Sequence, residues 1–167
     1  SGLPDHVHSP KFFKKIKATD SFSPESLIEC ILDEPALFKA GQGWSYSDTG
    51  YILLGLVIEA ATSDTYYKQV KHRFLKPLKL DTTTPSDRPN LPGLVAGYTS
   101  PDNPFGLPTK TVEGSGALVW NPLLEWTGGG MISTSTDLAR WAKLLYEGKA
   151  MQSDYLKELL QAIPIND

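Results

Sequence analysis

Residues 44–55 constrain the fold of this chain more than any other segment, because a polar loop there runs directly into a long apolar stretch. The stretch after Tyr46 is apolar on almost every side, which predicts a buried central helix over residues 49–61. Tyr46, Ser47 and Asp48 then stand at the N-terminus of that helix, where backbone N–H groups are unpaired and the local field is positive. A phenol, a hydroxyl and a carboxylate at such a junction suit chemistry on an anion or a developing oxyanion.

Further helices are predicted from start signals and from apolar periodicity. Ser23 as N-cap, with Pro24 at the first helical position, starts a helix that should run to about Asp33. Thr134 and Asp137 fit the spacing of a capping pattern ahead of a helix at about 136–147. The expected buried face of that helix is formed by Leu138, Trp141, Leu144 and Leu145. Residues 10–17, 64–74 and 153–162 carry the remaining helical patterns.

Residues 82–122 differ from the rest of the chain, because prolines and glycines recur there between short apolar pieces. This composition predicts an irregular excursion with short strands at best, and so long a loop is uncommon unless it is functional. The overall prediction is therefore a mainly α fold. At 167 residues the chain is expected to form a single helical domain, residues 1–167.

Charge and composition narrow the possible functions. A net charge of −3 gives no electrostatic footprint for nucleic acid, and the basic cluster at 11–17 is interpreted as a solvated helix face rather than a site for an acidic partner. The longest apolar run, at 51–58, is too short to span a bilayer. The lone cysteine, Cys30, lies in an apolar run and is expected to be a buried small hydrophobe. No metal site and no cofactor are predicted.

Four ordered segments of the chain resemble one known family. The segments are Tyr46-Ser47-Asp48, which stands where the family carries a Tyr-x-Asn motif, and residues 1–5, 74–83 and 128–141. Together they resemble the serine β-lactamase and penicillin-binding protein superfamily, in its class C-like branch of DD-peptidases and esterases. The resemblance implies the helical domain of the β-lactamase/transpeptidase-like fold, and by analogy an extracytoplasmic location.

The resemblance implies catalytic roles for Tyr46 and Asp48. In the family, the tyrosine of this motif helps to deprotonate a nucleophilic serine and passes a proton to the leaving group. Its ordinary pKa is about 10, so it needs neighbouring cations to act near neutral pH. Asp48 replaces the more usual Asn and would hold the catalytic lysine as an ion pair, which favours an esterase or peptidase-like hydrolase over a β-lactamase. The alternatives are aromatic packing for Tyr46 and a helix N-cap for Asp48 or Ser47.

Two further residues are predicted to contact substrate, and one glycine segment is expected to be structural. Ser47 and Trp126 are the candidate substrate-binding residues, although Trp126 and Trp120 could equally be core residues. Glycines at 128–130 precede a helix but lack the pattern of a phosphate-binding loop. They are expected to let the backbone pass close to a neighbouring helix.

Two motifs of the resembled family are missing. None of the serines is followed three positions later by lysine, and Lys110-Thr111-Val112 breaks the Lys-Thr-Gly motif at its glycine. We therefore expect an excised middle region of a longer serine hydrolase, which would act through an acyl-enzyme on amide, ester or β-lactam substrates. The chain alone would be inactive and could self-associate through exposed apolar surface. The alternative is a non-enzymatic binding or assembly module that keeps the fold.

Overall fold

The computed structural model describes residues 1–16, 22–114 and 116–161. It contains two compact units. The first comprises Ser1–Ser63 and Ser86–Gly130, and the second comprises Asp64–Pro85 and the chain from Met131 onward. Helix dominates the described residues, as the helix signals and the family resemblance predicted. The sheet in this part of the chain has two strands.

The first unit is built from short helices around one long one. Two single 3₁₀ turns lie at His6–His8 and Pro122–Leu124. The helices are α1 (Pro10–Lys15), α2 (Pro24–Ile28), α3 (Asp48–Thr62) and α5 (Trp126–Gly129).

Helix starts in the first unit follow from local side-chain chemistry. Ser9 accepts a hydrogen bond from the N–H of Lys11 ahead of α1. Ser23 and Ser26 cap each other reciprocally at the start of α2, with Pro24 in the first turn. The predicted start at Ser23 is confirmed, but α2 ends at Ile28 and passes into turns instead of continuing to Asp33. Of the helix predicted at 10–17, Lys17 lies outside the described residues.

The core of the first unit is small and largely apolar. Phe12, Leu27, Ile52 and Leu91 are each 1% exposed, and Cys30 is fully buried. The expectation that Cys30 is a buried hydrophobe is confirmed, and burial also raises the pKa of its thiol. Together these residues anchor α1, α2 and α3 around a common centre.

Helix α3, predicted to be the buried central helix, is buried along one face only. Thr49, Ile52 and Gly55 form its buried face. Leu54 is 58% and Val57 61% exposed. The helix is apolar nearly all round, but the described part of its unit covers only one side of it.

A close approach of α5 side chains to the backbone of α3 fixes the covered side of α3. A Cβ at Gly55 would lie 2.4 Å from Thr127 Cγ2 and 2.7 Å from the indole ring of Trp126. The hydroxyl of Thr127 also donates to the carbonyl of Tyr51 at 2.7 Å. Glycine at position 55 therefore lets α5 lie directly against α3.

The second unit combines helices with one short antiparallel ladder. Helix α4 (Tyr66–Val70) continues through one π-helical turn at Lys71–Leu75. Strands β1 (Thr84–Pro85) and β2 (Met131–Ile132) pair, and α6 (Ser135–Tyr146) and α7 (Ser153–Leu159) follow. Phe74 and Trp141 meet edge to face, with ring centroids 5.7 Å apart.

A buried carboxylate holds the start of α6. Thr134 caps the helix and accepts from the N–H of Asp137, as the capping pattern predicted. The Asp137 carboxylate accepts from the N–H of Thr82 at 2.8 Å and the hydroxyl of Thr83 at 3.0 Å. Desolvation would raise the pKa of Asp137, but these hydrogen bonds and the charge of Arg140 lower it overall.

The predicted buried face of α6 is only partly correct. Leu138 is 57% exposed. Trp141, Leu144 and Leu145 are half-buried. The helix thus packs through the later part of the predicted face, where Phe74 meets Trp141.

Residues 86–121 are joined by isolated backbone bridges. These connect Asn90 with Ala117, Tyr98 with Lys110, and Val112 with Leu118. Leu91 and Val112 are buried in this segment. Several of its side chains line the cavity described below.

Candidate active site

Tyr46 and Asp48 form a hydrogen-bonded pair where α3 begins. The Tyr46 hydroxyl donates to Asp48 Oδ1 at 2.9 Å, and the Tyr46 side chain is 52% exposed. An open apolar groove of about 500 Å³, lined among others by Trp44, Tyr51 and Leu54, lies beside the tyrosine. The predicted position of Tyr46, next to Asp48 and on a concave surface, is therefore observed, and Tyr46 is not a core aromatic.

Neither side chain offered as an N-cap makes a capping hydrogen bond. Ser47 occupies the cap position of α3, but its hydroxyl donates to the carbonyl of Pro4 at 3.0 Å. Asp48 is the first residue of the helix, where a negative charge interacts favourably with the helix dipole. Ser47 thus ties residues 1–5 to the start of α3, and the Asp48 carboxylate remains available to Tyr46.

The pair has an electrostatic consequence for Tyr46. The hydrogen bond to Asp48 raises the pKa of Tyr46 to about 12, with partial burial and the negative charge of Asp48 adding to the effect. The phenol is therefore neutral near pH 7 and donates its proton to Asp48. A nearby cation would be needed before Tyr46 could act as a base.

Asp48 also lines a cavity of about 240 Å³. Its walls are mainly apolar, and its polar side chains include Asp48, Glu125 and His6. The apolar lining includes Phe12, Ile52, Phe105, Leu107, Trp120 and Leu124. Residues that are far apart in sequence therefore form one pocket within the first unit.

His6 lies in the wall of this cavity and was not predicted to belong to a site. It is 1% exposed. The backbone N–H of His6 donates to Thr49 Oγ1 at 2.9 Å, and the ring Nδ1 of His6 lies 3.0 Å from the same oxygen. Burial lowers the pKa of His6, although the charges of Asp5 and Asp48 oppose this. The imidazole is therefore neutral near pH 7.

Glu125 is the second acid of the cavity. Desolvation raises the pKa of Glu125, and the charge of Asp48 raises it further. Sequence reasoning missed this residue. The available signal was an acid placed between the apolar run Pro122-Leu123-Leu124 and Trp126.

The sequence left undecided whether Trp120 and Trp126 contact substrate or belong to the core, and the structure places the two residues differently. Trp126 is 7% exposed and packs against Gly55, so the prediction that it contacts substrate is not supported by its position. Trp120 instead lines the cavity. A Cβ at Gly128 would lie 3.3 Å from Asp48 Oδ1. This agrees with the structural role expected for the glycines at 128–130.

The described residues contain neither a metal-binding cluster nor a membrane-spanning helix. In ranges 1–16, 22–114 and 116–161, no group of three or more His, Cys, Asp or Glu side chains is arranged to hold a metal ion. In the same ranges, every helix is too short or too polar to cross a bilayer.

Comparison with known proteins identifies the family. The profile of the β-lactamase family matches residues 1–164. This match covers nearly the whole chain and agrees with the Tyr46-Ser47-Asp48 motif at the start of α3. The chain belongs to the β-lactamase family.

Relatives within this superfamily include hydrolases and penicillin-binding proteins. The chain is 28% identical over 100 residues to a penicillin-binding protein of Bacillus subtilis (strain 168), a match over 59% of this chain and 22% of that protein. A crystal structure of a D-stereospecific amidohydrolase from Streptomyces sp. superimposes with a TM-score of 0.84 at 29% identity, over 99% of this chain and 49% of that one.

A third comparison shows the fold alone. The D-amino acid amidase of Ochrobactrum anthropi SV3, in complex with D-phenylalanine, superimposes with a TM-score of 0.72 at 20% identity. That match covers 95% of this chain and 45% of the amidase. The chain thus spans about half the length of these solved structures and less than a quarter of the curated relative.

Proposed function

We propose that this chain is part of a longer serine hydrolase that acts through an acyl-enzyme on amide, ester or β-lactam substrates. The hydrogen-bonded pair of Tyr46 and Asp48 at the start of α3 carries the proposal. Amides are the favoured class, because the structural relative at 29% identity is an amidohydrolase.

In the proposed reaction, a serine hydroxyl attacks the carbonyl carbon of the substrate and a new ester bond forms. The serine proton passes to Tyr46, which delivers it to the departing amine as the C–N bond breaks. Water then hydrolyses the ester and releases the acid. This chain has no Ser-x-x-Lys sequence, so the nucleophile would come from another part of the protein.

The geometry adds a requirement to this scheme. Asp48 raises the pKa of Tyr46 to about 12, which works against a role as base. A lysine ammonium brought next to the pair would offset the charge of Asp48 and lower the pKa of Tyr46 again. Asp48 is therefore proposed to position that cation, as an ion-pair partner, in place of the amide that the family usually has.

The cavity beside Asp48 is proposed to form one wall of the substrate site. Thr99, Phe105, Leu107 and Trp120 line it from residues 82–122. This supports a functional reason for the predicted irregular excursion. Ser47 was expected to contact substrate, but its hydroxyl is already bonded to Pro4, so Trp120 is the better candidate.

The test compares the 167-residue chain with the full-length protein that contains it. Both are assayed with phenylalanine p-nitroanilide of each configuration, p-nitrophenyl acetate and nitrocefin, and acyl adducts are located by mass spectrometry. We expect the chain alone to show no hydrolysis above background, and the full-length protein to be acylated on a serine outside residues 1–167. Tyr46→Phe in the full-length protein should lower the rate about 10²- to 10⁴-fold. A stoichiometric adduct on a serine of this chain would overturn the proposal.

A non-enzymatic binding module is the second candidate. The observation that favours it is the raised pKa of Tyr46, because a tyrosine bonded to a carboxylate is a poor base. The same assay separates the two functions. A full-length protein that lacks Ser-x-x-Lys, and is acylated by none of these reagents, supports the module.

A further inference from the structure

We propose that His6 and Thr49 are positioning residues for the pair of Tyr46 and Asp48. Their buried contact, rather than the hydrogen bond within the pair, sets the geometry of the pair. This inference rests on the function proposed above, because it names what holds that site in place. It gives His6 and Thr49 a role that the motif at residues 46–48 does not include.

Two tethers flank Asp48 in the sequence, and both lead to the same segment near the beginning of the chain. On one side, the Ser47 hydroxyl donates to the carbonyl of Pro4 at 3.0 Å. On the other side, Thr49 Oγ1 accepts from the backbone N–H of His6 at 2.9 Å and lies 3.0 Å from the ring Nδ1. The backbone is thereby held on either side of Asp48, which restricts the direction in which the carboxylate leaves the helix.

The contact between His6 and Thr49 satisfies polar groups that water does not reach. Thr49 is fully buried and His6 is 1% exposed. A hydroxyl can accept one hydrogen bond and donate another. Thr49 can therefore accept the backbone N–H of His6 and donate its own proton to Nδ1 of the neutral ring. Loss of the Thr49 hydroxyl would leave this N–H and this ring nitrogen without their partner.

His6 is itself held in place by its surroundings. It begins a 3₁₀ turn that Asp5 caps, because the Asp5 carboxylate accepts from the N–H of Val7 at 3.2 Å. The imidazole meets the ring of Phe12 edge to face, with centroids 5.2 Å apart, and Phe12 is 1% exposed. His6 therefore ties the start of α3 to the core of the first unit.

Burial decides which of the two contacts constrains the other. The Tyr46–Asp48 hydrogen bond lies at the surface, since Tyr46 is 52% exposed. Water competes for an exposed hydrogen bond, so its net contribution is small, whereas a buried donor or acceptor left unpaired has the full cost of its desolvation. The buried contact between His6 and Thr49 therefore fixes the first turn of α3 more strongly than the exposed pair does.

The test measures the pKa of Tyr46 in the 167-residue chain by ¹³C NMR. Thr49→Val keeps the shape of the side chain and removes the hydroxyl, whereas Thr49→Ser keeps the hydroxyl. Thr127→Val is the matched control, because it removes a hydroxyl that donates to the carbonyl of Tyr51 in the same helix. We expect the pKa of Tyr46 to fall by about half a unit to one unit in Thr49→Val, because Asp48 is no longer held against the phenol. Thr49→Ser and Thr127→Val should leave this pKa unchanged.

A measurement on the unmodified chain covers the case in which Thr49→Val does not fold by circular dichroism. The backbone N–H of His6 can exchange with solvent only when its bond to Thr49 opens. If the contact is a firm anchor, this N–H should exchange as slowly as that of Ile52, which is 1% exposed in α3. Exchange of the His6 N–H while the Ile52 N–H stays protected would overturn the positioning role.

Kinetics of the full-length protein add a readout of position. With phenylalanine p-nitroanilide, Thr49→Val should lower kcat about tenfold with little change in KM, because a misplaced pair impairs the chemical step rather than substrate binding. Thr49→Ser should restore most of the rate.

The isolated chain and the full-length protein test different claims. A pKa of Tyr46 that is equal in the unmodified chain and in folded Thr49→Val overturns the positioning role, whether or not the full-length protein is a hydrolase. An equal fall in Thr127→Val overturns it as well, since any weakening of α3 would then suffice. A lowered pKa in Thr49→Val alone, with a full-length protein that hydrolyses none of the reagents, would support the positioning role and refute the hydrolase.

Discussion

Replacing Asp48 by Asn is the sharpest test of the electrostatics at the start of α3. The Tyr46 hydroxyl donates to Asp48 Oδ1 at 2.9 Å, and this contact raises the pKa of Tyr46 to about 12. Asparagine keeps a carbonyl oxygen that can accept the same hydrogen bond, but it carries no charge. The substitution therefore removes the charge and preserves the geometry.

The size of the effect follows from that distance. Two unit charges 2.9 Å apart repel each other by about 1.4 kcal/mol in a medium as polar as water. This corresponds to a pKa change of about one unit. Tyr46 is 52% exposed, so solvent screens the pair and the effect should lie close to this water-like value. We therefore expect the pKa of Tyr46 to fall by about one to two units in Asp48→Asn.

The assay is a ¹³C NMR titration of the tyrosine ring carbons between pH 7 and pH 11.5. Tyr46→Phe identifies the resonance, and circular dichroism shows at each pH whether the chain is folded. In the unmodified chain, whose Tyr46 has a pKa of about 12, only about a quarter of this phenol should be ionised at the end of the titration. In Asp48→Asn it should titrate within that range, whereas Glu34→Gln should behave as the unmodified chain does. Equal pKa values in the unmodified chain and in Asp48→Asn would refute the reasoning.

Three further predictions concern stability and association. Gly55→Ala should lower the free energy of unfolding by about 1–3 kcal/mol, because the new Cβ would lie 2.4 Å from Thr127 Cγ2; urea denaturation measures this. Asp137→Asn should lower Tm at pH 7. Since the folded-state pKa of Asp137 is lowered, its contribution is present above the unfolded-state value of about 3.9 and is lost as pH falls through the folded-state pKa. Val57→Lys should reduce self-association in sedimentation velocity, because Val57 lies on the exposed apolar side of α3.

Each of these predictions has a control or a contradicting result. Gly50→Ala serves as the control for Gly55→Ala, since a Cβ at Gly50 has nothing within 4 Å; an equal loss in both variants would show that packing against α5 is not the cause. If the Tm of Asp137→Asn decreases with falling pH as much as the Tm of the unmodified chain does, the role of Asp137 is contradicted. An unmodified chain that sediments as a monomer at all concentrations would remove the basis for the prediction at Val57.

The sequence was most informative where the deciding contacts are local. Ser23 and Pro24 start α2, and Thr134 starts α6, because an N-cap needs only residues within one turn. Tyr46 and Asp48 are two positions apart, so their proximity at the start of α3 could be predicted from the motif. The end of α2 could not, because residues 29–34 contain no proline or glycine and the chain nevertheless passes into turns after Ile28.

Contacts between distant residues were not visible in the sequence. His6 reaches Thr49 across 43 positions. Glu125 and Trp120 join Asp48 in the cavity through the packing of several segments. Trp126 was predicted to contact substrate, yet the glycine at position 55 lets it pack against α3. Each of these positions depends on which surfaces meet, and periodicity carries no such information.

The sequence by itself determined the mainly helical character, the start of α3 and the chemistry that this start presents, because capping, helix periodicity and a three-residue motif act over a few residues. The tertiary structure alone decided which side of α3 is covered, which tryptophan lines the cavity and that Glu125 lies beside Asp48. The physical reason is that burial and pKa depend on neighbours brought together by packing. An apolar helix such as α3 can bury any of its sides, and only the residues that fold against it select one.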